Sequence, residues 1–495
     1  MRYWKSLGLL AVLSLLPGFA VAAEPTIVQP SPWMILPFVF ILIGIAIIPF
    51  ISKHWWERWY PAFVCGLGMI SVGYYLFVLN NPVRMLISGL EYVSFIALIG
   101  SLFVVAGGIH IRIKGKSTPL RNVFFLMFGA IVANILGTTG ASMILIRPFI
   151  RVNRYRIRPY HIVFFIFIVS NMGGALTPIG DPPLFLGYLK GIPFFWVAEH
   201  LWTKWAIGVA LVIGIFYILD RRSFLKLPLD RRHGVEGIEE EGEASGIHNI
   251  VFLTIILVAV FINNPPFLRE ALMIFAAIGS YFTTKDDIHK KNEFSFGPVK
   301  EVAILFLGIF ATMVPALDWL ELNATSLGLQ SAGQFYWATG SLSAFLDNAP
   351  TYLNFLSACF GLFLNNDVVQ QVQAAITLHG SAVVTAAGAH GEEVRATVAV
   401  LAKYHGDLIA AGAVPLDDIA TAYIMGNHMI YLQAISLAAV FFGACSYIGN
   451  GPNFMVKSIA ENSGVQTPSF FGYIGRYTLP VLLPVFLLIW VLFFR

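Results

Sequence analysis

Long unbroken apolar runs, and not alternating or helically striped ones, organise this chain. Runs long enough to cross a ~30 Å hydrocarbon core, which needs about 20 helical residues, lie near 33–52, 60–80, 91–112, 160–188, 203–220, 247–263, 267–284, 297–317, 430–460 and 471–494. Two more runs, about 121–148 and 335–364, do not read as simple spans. The first follows Arg112, Lys114 and Lys116, ends at Arg147 and is followed by Arg151, Arg154, Arg156 and Arg158. Lys and Arg are retained on the cytoplasmic side of short loops, so both ends sit on that side. Such a segment must enter and return, and Gly137-Thr138-Thr139-Gly140 at its centre supplies the backbone freedom for a tip. The second run has the opposite surroundings: between Glu301 and Asp418 the Lys and Arg residues are Arg395 and Lys403 alone. It reads as a hairpin entering from the periplasm, with Asp347-Asn348-Ala349-Pro350 at its tip.

Each predicted hairpin precedes a hydrophobic helix interrupted at mid-span by glycine and proline, SNMGGALTPIGDPP at 170–183 and GACSYIGNGPNFM at 443–455. Matching interruptions point to an all-α polytopic membrane fold of two inverted-topology repeats with a site at their interface. The halves are predicted at 33–222 and 247–495, joined by a cytoplasmic linker at 223–246 rich in charge (Arg231, Arg232, Glu239, Glu240, Glu241). The polar, alanine-rich stretch 365–418 is expected to form amphipathic helices on the periplasmic face. Arg2 and Lys5, an apolar run from Leu7 to Leu16 and small residues at Ala20–Ala23 read as a signal peptide or signal anchor over 1–23.

Composition agrees: 57% of the 495 residues are hydrophobic and 12% charged, which excludes a soluble domain of this size. Cys65, Cys359 and Cys445 are too widely spaced for a disulfide framework or a zinc site and read as packing residues.

Breaking a helix inside hydrocarbon strands backbone N–H and C=O groups at several kcal/mol each, unless polar groups or water meet them. Side chains at the four breaks narrow the chemistry. Asp181 and Asp347 are mid-depth carboxylates, which suggests cation coupling. No Lys or Arg occupies either interrupted motif, which argues against direct ion pairing with a multivalent anion. Ser170, Asn171, Thr177, Thr138, Thr139, Asn348, Asn450 and Asn453 add neutral groups for Na⁺ or for a carboxylate's hydrogen bonds, although an Asn or Thr beside a helix break also serves as a cap. Glu91, His110, Glu301 and Asp318 fall near helix ends, where the interface is expected to solvate them. His428 is expected to cap or line the second broken helix.

The motifs SNMGGALTPIGDPP and SAFLDNAP (343–350) resemble signatures of the ion transporter superfamily that holds the D-type sodium/proton antiporters, the membrane subunit of arsenite pumps, the citrate transporter families and the melanosomal P-protein. The resemblance runs over most of the chain. It implies two inverted repeats with re-entrant hairpins, a homodimer and an elevator motion, and it links Asp181, Asp347 and Asn348 to Na⁺ and H⁺. Leu184 stands where the family often has Asn, and the Ser-Asn-Thr carboxylate signature of the dicarboxylate branch is absent from both tips.

The resulting expectation is a non-enzymatic secondary transporter of the bacterial inner membrane with a periplasmic C-terminus. It uses no cofactor, contacts the lipid bilayer and small solutes, and has no nucleic-acid partner. Na⁺/H⁺ antiport is favoured, with Na⁺ at Asp181, Asp347 and Asn348. Citrate or another carboxylate moved with H⁺ or Na⁺ is the alternative. An intramembrane aspartyl protease, the third class, would want Tyr-Asp and Gly-x-Gly-Asp, whereas Leu346 precedes Asp347 and Pro178-Ile179-Gly180 precedes Asp181.

Overall fold

The computed structural model describes residues 27–112, 117–227, 243–262, 265–292, 294–379 and 390–495. The signal segment expected at 1–23 and most of the linker expected at 223–246 lie outside the described residues. The fold is helical. Among the described residues seven helices are long and apolar enough to cross a membrane.

The chain begins with α1 (Leu36–Ile51), α2 (Lys53–Gly73) and α3 (Pro82–Gly107). The next helix, α4 (Pro119–Val152), is long and apolar enough to cross a membrane, yet it is a hairpin. Straight, its 34 residues would run about 50 Å at ~1.5 Å each. Instead its two ends touch: Asn122 and Asn153 exchange side-chain hydrogen bonds at 2.9 and 3.0 Å, and the Phe125 and Phe149 rings lie 5.1 Å apart. The reversal is at Gly137, whose φ of 74° favours glycine.

After the hairpin come two half-helices, α5 (Pro159–Ile168) and α6 (Pro182–Leu189), and then the long α7 (Trp196–Leu225). The order then repeats. Helices α8 (Asn249–Ala259), α9 (Leu268–Thr283), the short α10 (Asp286–Lys291) and α11 (Gly297–Leu322) lead to a second hairpin, α12 (Ala332–Ser343) and α13 (Asn348–Phe363), whose open ends meet with Phe335 6.2 Å from Phe363. Four short helices follow: α14 (Asn366–His379), α15 (Gly391–Tyr404), α16 (Gly406–Ala410) and α17 (Leu416–Asn427). A 96° bend at His428 leads into α18 (Met429–Phe442), the second broken segment continues in α19 (Gly451–Asn462), and α20 (Phe470–Phe493) closes the chain. His428 stacks on Phe363 at 4.6 Å at this corner.

The two breaks share their local geometry. In the first, a Cβ on Gly180 would lie 2.1 Å from Gly174 O; in the second, a Cβ on Gly449 would lie 2.6 Å from Gly443 O. The Thr177 hydroxyl accepts the Gly180 N–H at 3.0 Å, and the Ser446 hydroxyl accepts the Gly449 N–H at 3.1 Å. The next residues, Asp181 and Asn450, are both extended, at φ/ψ −142/142 and −152/142. The sequences Ile-Gly-Asp-Pro-Pro and Ile-Gly-Asn-Gly-Pro thus build the same turn, with a carboxylate in one copy and an amide in the other.

Each half-helix packs on the other copy's hairpin: α6 lies on α13, where Gly187 has no room for a Cβ beside the Tyr352 hydroxyl, and α19 lies on α4. Helices α3 and α11 pack through Phe95, Phe306 and Phe310, with Phe95 and Phe306 stacked at 4.7 Å.

Two interface-solvated groups expected from the sequence are in fact buried. Asp318 is fully buried; its Oδ1 accepts from Arg84 Nε and Nη2 at 2.9 and 2.7 Å, and its Oδ2 from the Tyr75 hydroxyl at 2.7 Å. His110 is buried against Asn292 Oδ1 at 2.8 Å. Position near a helix end predicts solvation only where no neighbouring helix covers it. A third buried network ties the open end of the first hairpin to α7: Asp220 accepts from both Arg156 Nη atoms, from the Tyr160 hydroxyl and from Asn122 Nδ2. The end of the linker is also engaged, since β1 (His110–Arg112) pairs antiparallel with β2 (Glu243–Ser245), His110 opposite Ser245.

Candidate functional site

The site grows out of the two unwound segments. Between α5 and α6 the chain from Val169 to Asp181 keeps only one short turn, Met172–Gly174. Its backbone needs partners from elsewhere, and one residue supplies two of them. Asn134, on the first arm of hairpin α4, donates from Nδ2 to Gly173 O at 2.7 Å and accepts the Leu176 N–H at 2.9 Å. Its own carbonyl accepts from the Thr177 hydroxyl at 2.6 Å. The tip adds a further tie, Thr138 N–H to Gly180 O at 2.8 Å. The second break is patched in a related way, Asn453 Nδ2 donating to Gly443 O and Ser446 O, both at 2.8 Å.

Asp181 follows the first unwound stretch, and its carboxylate is fully buried. Its side chain makes no capping bond to its own helix. Three neutral donors from three other elements hold it: the Thr138 hydroxyl of the first hairpin tip at 2.7 Å to Oδ1, Asn450 Nδ2 of the second break at 3.1 Å to Oδ1, and Asn348 Nδ2 of the second hairpin to Oδ2. The two hairpins and two broken segments therefore converge on one carboxylate. Around it, Asn450 Nδ2 also reaches Ser170 O and Asn171 Oδ1, both at 3.2 Å, and Asn171 Nδ2 donates to Asn453 Oδ1 at 2.7 Å and Ile166 O at 2.8 Å. The other end of the Asn348 amide, Oδ1, is buried with no hydrogen-bond partner.

The structure sorts the residues expected from the sequence. Asp181, Thr138, Asn348 and Asn450 form the centre, with Asn171, Asn453 and the Ser170 carbonyl immediately behind. The Ser170 hydroxyl is spent on Ser142, at 2.7 Å. The Thr177 hydroxyl shapes the turn before Gly180, and Thr139 lines a cavity between the tip and α3. Asp347 differs from the expectation of a second central carboxylate: it is half-buried, and its Oδ1 caps α13 by accepting the Ala349 N–H at 3.0 Å. A residue one position before a helix that begins with Asn348 is placed by geometry to cap, which the tip sequence alone does not distinguish from facing the site.

Asn134, Ser142 and Ser446 were not foreseen. Asn134 carried a signal, an amide inside the apolar run Ile131–Leu136. The serines carried none, because Ser is unremarkable in a membrane helix.

The centre is tightly closed. The cavity at the first tip, bounded by Leu98, Leu102, Thr138, Thr139, Pro182 and Phe185 among others, measures about 30 Å³, room for roughly two waters. A larger solute needs the tips to part. Among the described residues no group of three or more His, Cys, Asp or Glu side chains is placed to hold a metal ion. What the centre offers is a carboxylate, an amide oxygen without a hydrogen-bond partner and a set of neutral donors, and among the described residues no basic side chain hydrogen-bonds to Asp181.

No curated protein matches this chain. Residues 28–494 match a sequence family described as "Putative citrate transport", and the chain belongs to that family, as a multi-pass membrane transporter.

Proposed function

We propose that the protein moves a carboxylate such as citrate, coupled to Na⁺ or H⁺ binding at Asp181. One observation carries this reading: neutral donors from both hairpins and the second break are already arranged around a carboxylate in a buried centre. Amide N–H and hydroxyl groups bind carboxylates by directed hydrogen bonds, and desolvation strengthens each of them. The family description supports the substrate class. Asp181 then supplies the coupling charge and Asn348 Oδ1 a free ligand oxygen beside it. The arginine-rich end of hairpin α4 faces the cytoplasm of a bacterial inner membrane, the C-terminus faces the periplasm, the halves are related by inverted topology, and the working form is a dimer.

Na⁺/H⁺ exchange, the reading favoured from sequence, keeps one specific support. Among the described residues no basic side chain bonds to the central carboxylate to offset a multivalent anion. It loses another, since Asp347 Oδ1 caps α13 and makes no hydrogen bond to the donors around Asp181.

Reconstituted vesicles separate the two. Carboxylate transport gives accumulation of labelled citrate driven by an inward Na⁺ or H⁺ gradient. A pH gradient that collapses on Na⁺ addition without any carboxylate, with no citrate uptake, refutes the proposal in favour of exchange.

A further inference from the structure

We infer that Asp181 occupies, in the unloaded protein, the donor cluster that receives the substrate's carboxylate, so that a cation bound at Asp181 is what hands those donors over. This rests on the carboxylate reading above and goes beyond it by fixing the order of binding.

Asp181 does not serve its own helix. It stands at the start of α6, where an aspartate ordinarily caps, yet its side chain makes no capping bond. Asp347, at the start of α13, does cap. The Asp181 carboxylate is instead held entirely by Thr138, Asn348 and Asn450, side chains of other elements. In the pseudo-equivalent turn Asn450 likewise makes no capping bond, and its amide is turned onto Asp181. A ring of donors drawn from three other segments around an acceptor that its own helix does not need is a carboxylate receptor with an internal occupant.

Two ionised carboxylates cannot share one set of neutral donors. Like charges about 3 Å apart do not both stay ionised, and among the described residues no basic group bonds to Asp181 to neutralise either. The charged group that acts on Asp181 from a neighbouring hairpin is Asp347, which has the same sign; the side chains that bond to Asp181 from the other two segments, Thr138 and Asn450, are neutral. An entering carboxylate therefore finds the donors free only when Asp181 carries Na⁺ or a proton. The cation binds first, the carboxylate second.

Citrate binding to the full-length protein in detergent, read as thermal stabilisation, tests this. In wild type at pH 8, citrate should stabilise at least ten-fold more weakly in choline than in Na⁺, and Na⁺ should bind tighter in citrate by the same factor, as reciprocity requires. Asp181→Asn should bind citrate equally with and without Na⁺, and at least ten-fold tighter than wild type in choline. A folded Asp181→Asn that binds no citrate, while wild type binds it with Na⁺, overturns the inference and leaves the carboxylate reading standing. If the variant does not fold, the wild-type measurement decides: equal citrate affinity with and without Na⁺, at pH 8 and pH 6, overturns the inference. If wild type binds none of citrate, succinate or malate under any of these conditions, the carboxylate reading falls and the inference with it.

Discussion

Replacing Asn134 by leucine removes the side chain that stitches hairpin α4 to the first break, and the structure says how much that costs. Three side-chain bonds are lost: to Gly173 O, to Ala130 O and from the Leu176 N–H. They do not count equally. Gly173 O keeps a second donor, Trp205 Nε1 at 3.1 Å, and Ala130 O belongs to a helix that continues past it. Only the Leu176 N–H is orphaned. An unsatisfied group of this kind costs about 1–3 kcal/mol, which corresponds to roughly 5- to 150-fold in an equilibrium. Hydrogen exchange followed by mass spectrometry, over a peptide covering 170–180, should show faster exchange by that factor in Asn134→Leu. Trp205→Phe alone should change little, because Asn134 still covers Gly173 O. The double variant should exceed the sum, since both donors to one carbonyl are then gone, with a coupling of about 0.5–3 kcal/mol. Unchanged exchange at 170–180 in a folded Asn134→Leu protein would refute the assignment of Asn134 as the patch on this break.

Gly180→Ala should abolish recovery of folded protein, because its Cβ would meet Gly174 O at 2.1 Å, whereas Gly214→Ala, in open space on α7, should be neutral or slightly stabilising; size-exclusion profiles of the two compare them directly. Asp220→Ala strands Arg156 in a buried site and should cost about 3–5 kcal/mol, seen as a large drop in melting temperature, with Asp220→Asn milder because it keeps an acceptor for Tyr160. Asp347→Asn should melt within a degree or two of wild type and Asp347→Ala lower, as a lost N-cap costs about 0.5–2 kcal/mol; equal melting of all three would remove the capping role. Cysteines placed at 154, 323 and 367 should label from the cytoplasm, the outside and the outside respectively, with Cys65 replaced and the buried Cys359 and Cys445 left in place; outside labelling at 154 would contradict the proposed orientation of hairpin α4.

The hairpins and breaks were legible because they violate a strong rule. Irregular backbone at membrane depth is tolerated only where protein or a cavity covers it, so Gly137, Gly180 and Gly449 in apolar runs had few other meanings. The charge pattern flanking 121–148 separated a returning segment from a span, which length and composition alone do not, since α4 still passes for one. Which side chains face the centre was harder. Asp181 and Asp347 look alike in sequence, each just before a proline-bearing half-helix, and only the three-dimensional junction puts one on foreign donors and the other on its own helix. Burial of Asp318 and His110 was illegible for the same reason, being decided by Arg84, Tyr75 and Asn292 from distant parts of the chain.

The near-identity of the two breaks leaves one inequality, Asp181 against Asn450. A turn duplicated with two aspartates would put two like charges at the centre, and one with two asparagines would put none. With a single aspartate, the central cluster of Asp181, Thr138, Asn348 and Asn450 carries one negative charge when empty and none once a monovalent cation is bound. A step that carries the empty centre through the membrane field moves this one charge, worth up to about 2.3 kcal/mol per 100 mV, whereas a loaded centre moves only the charge of the carboxylate bound beside the cation. The inequality between two matching turns thus gives the empty carrier's return stroke its electrical sign.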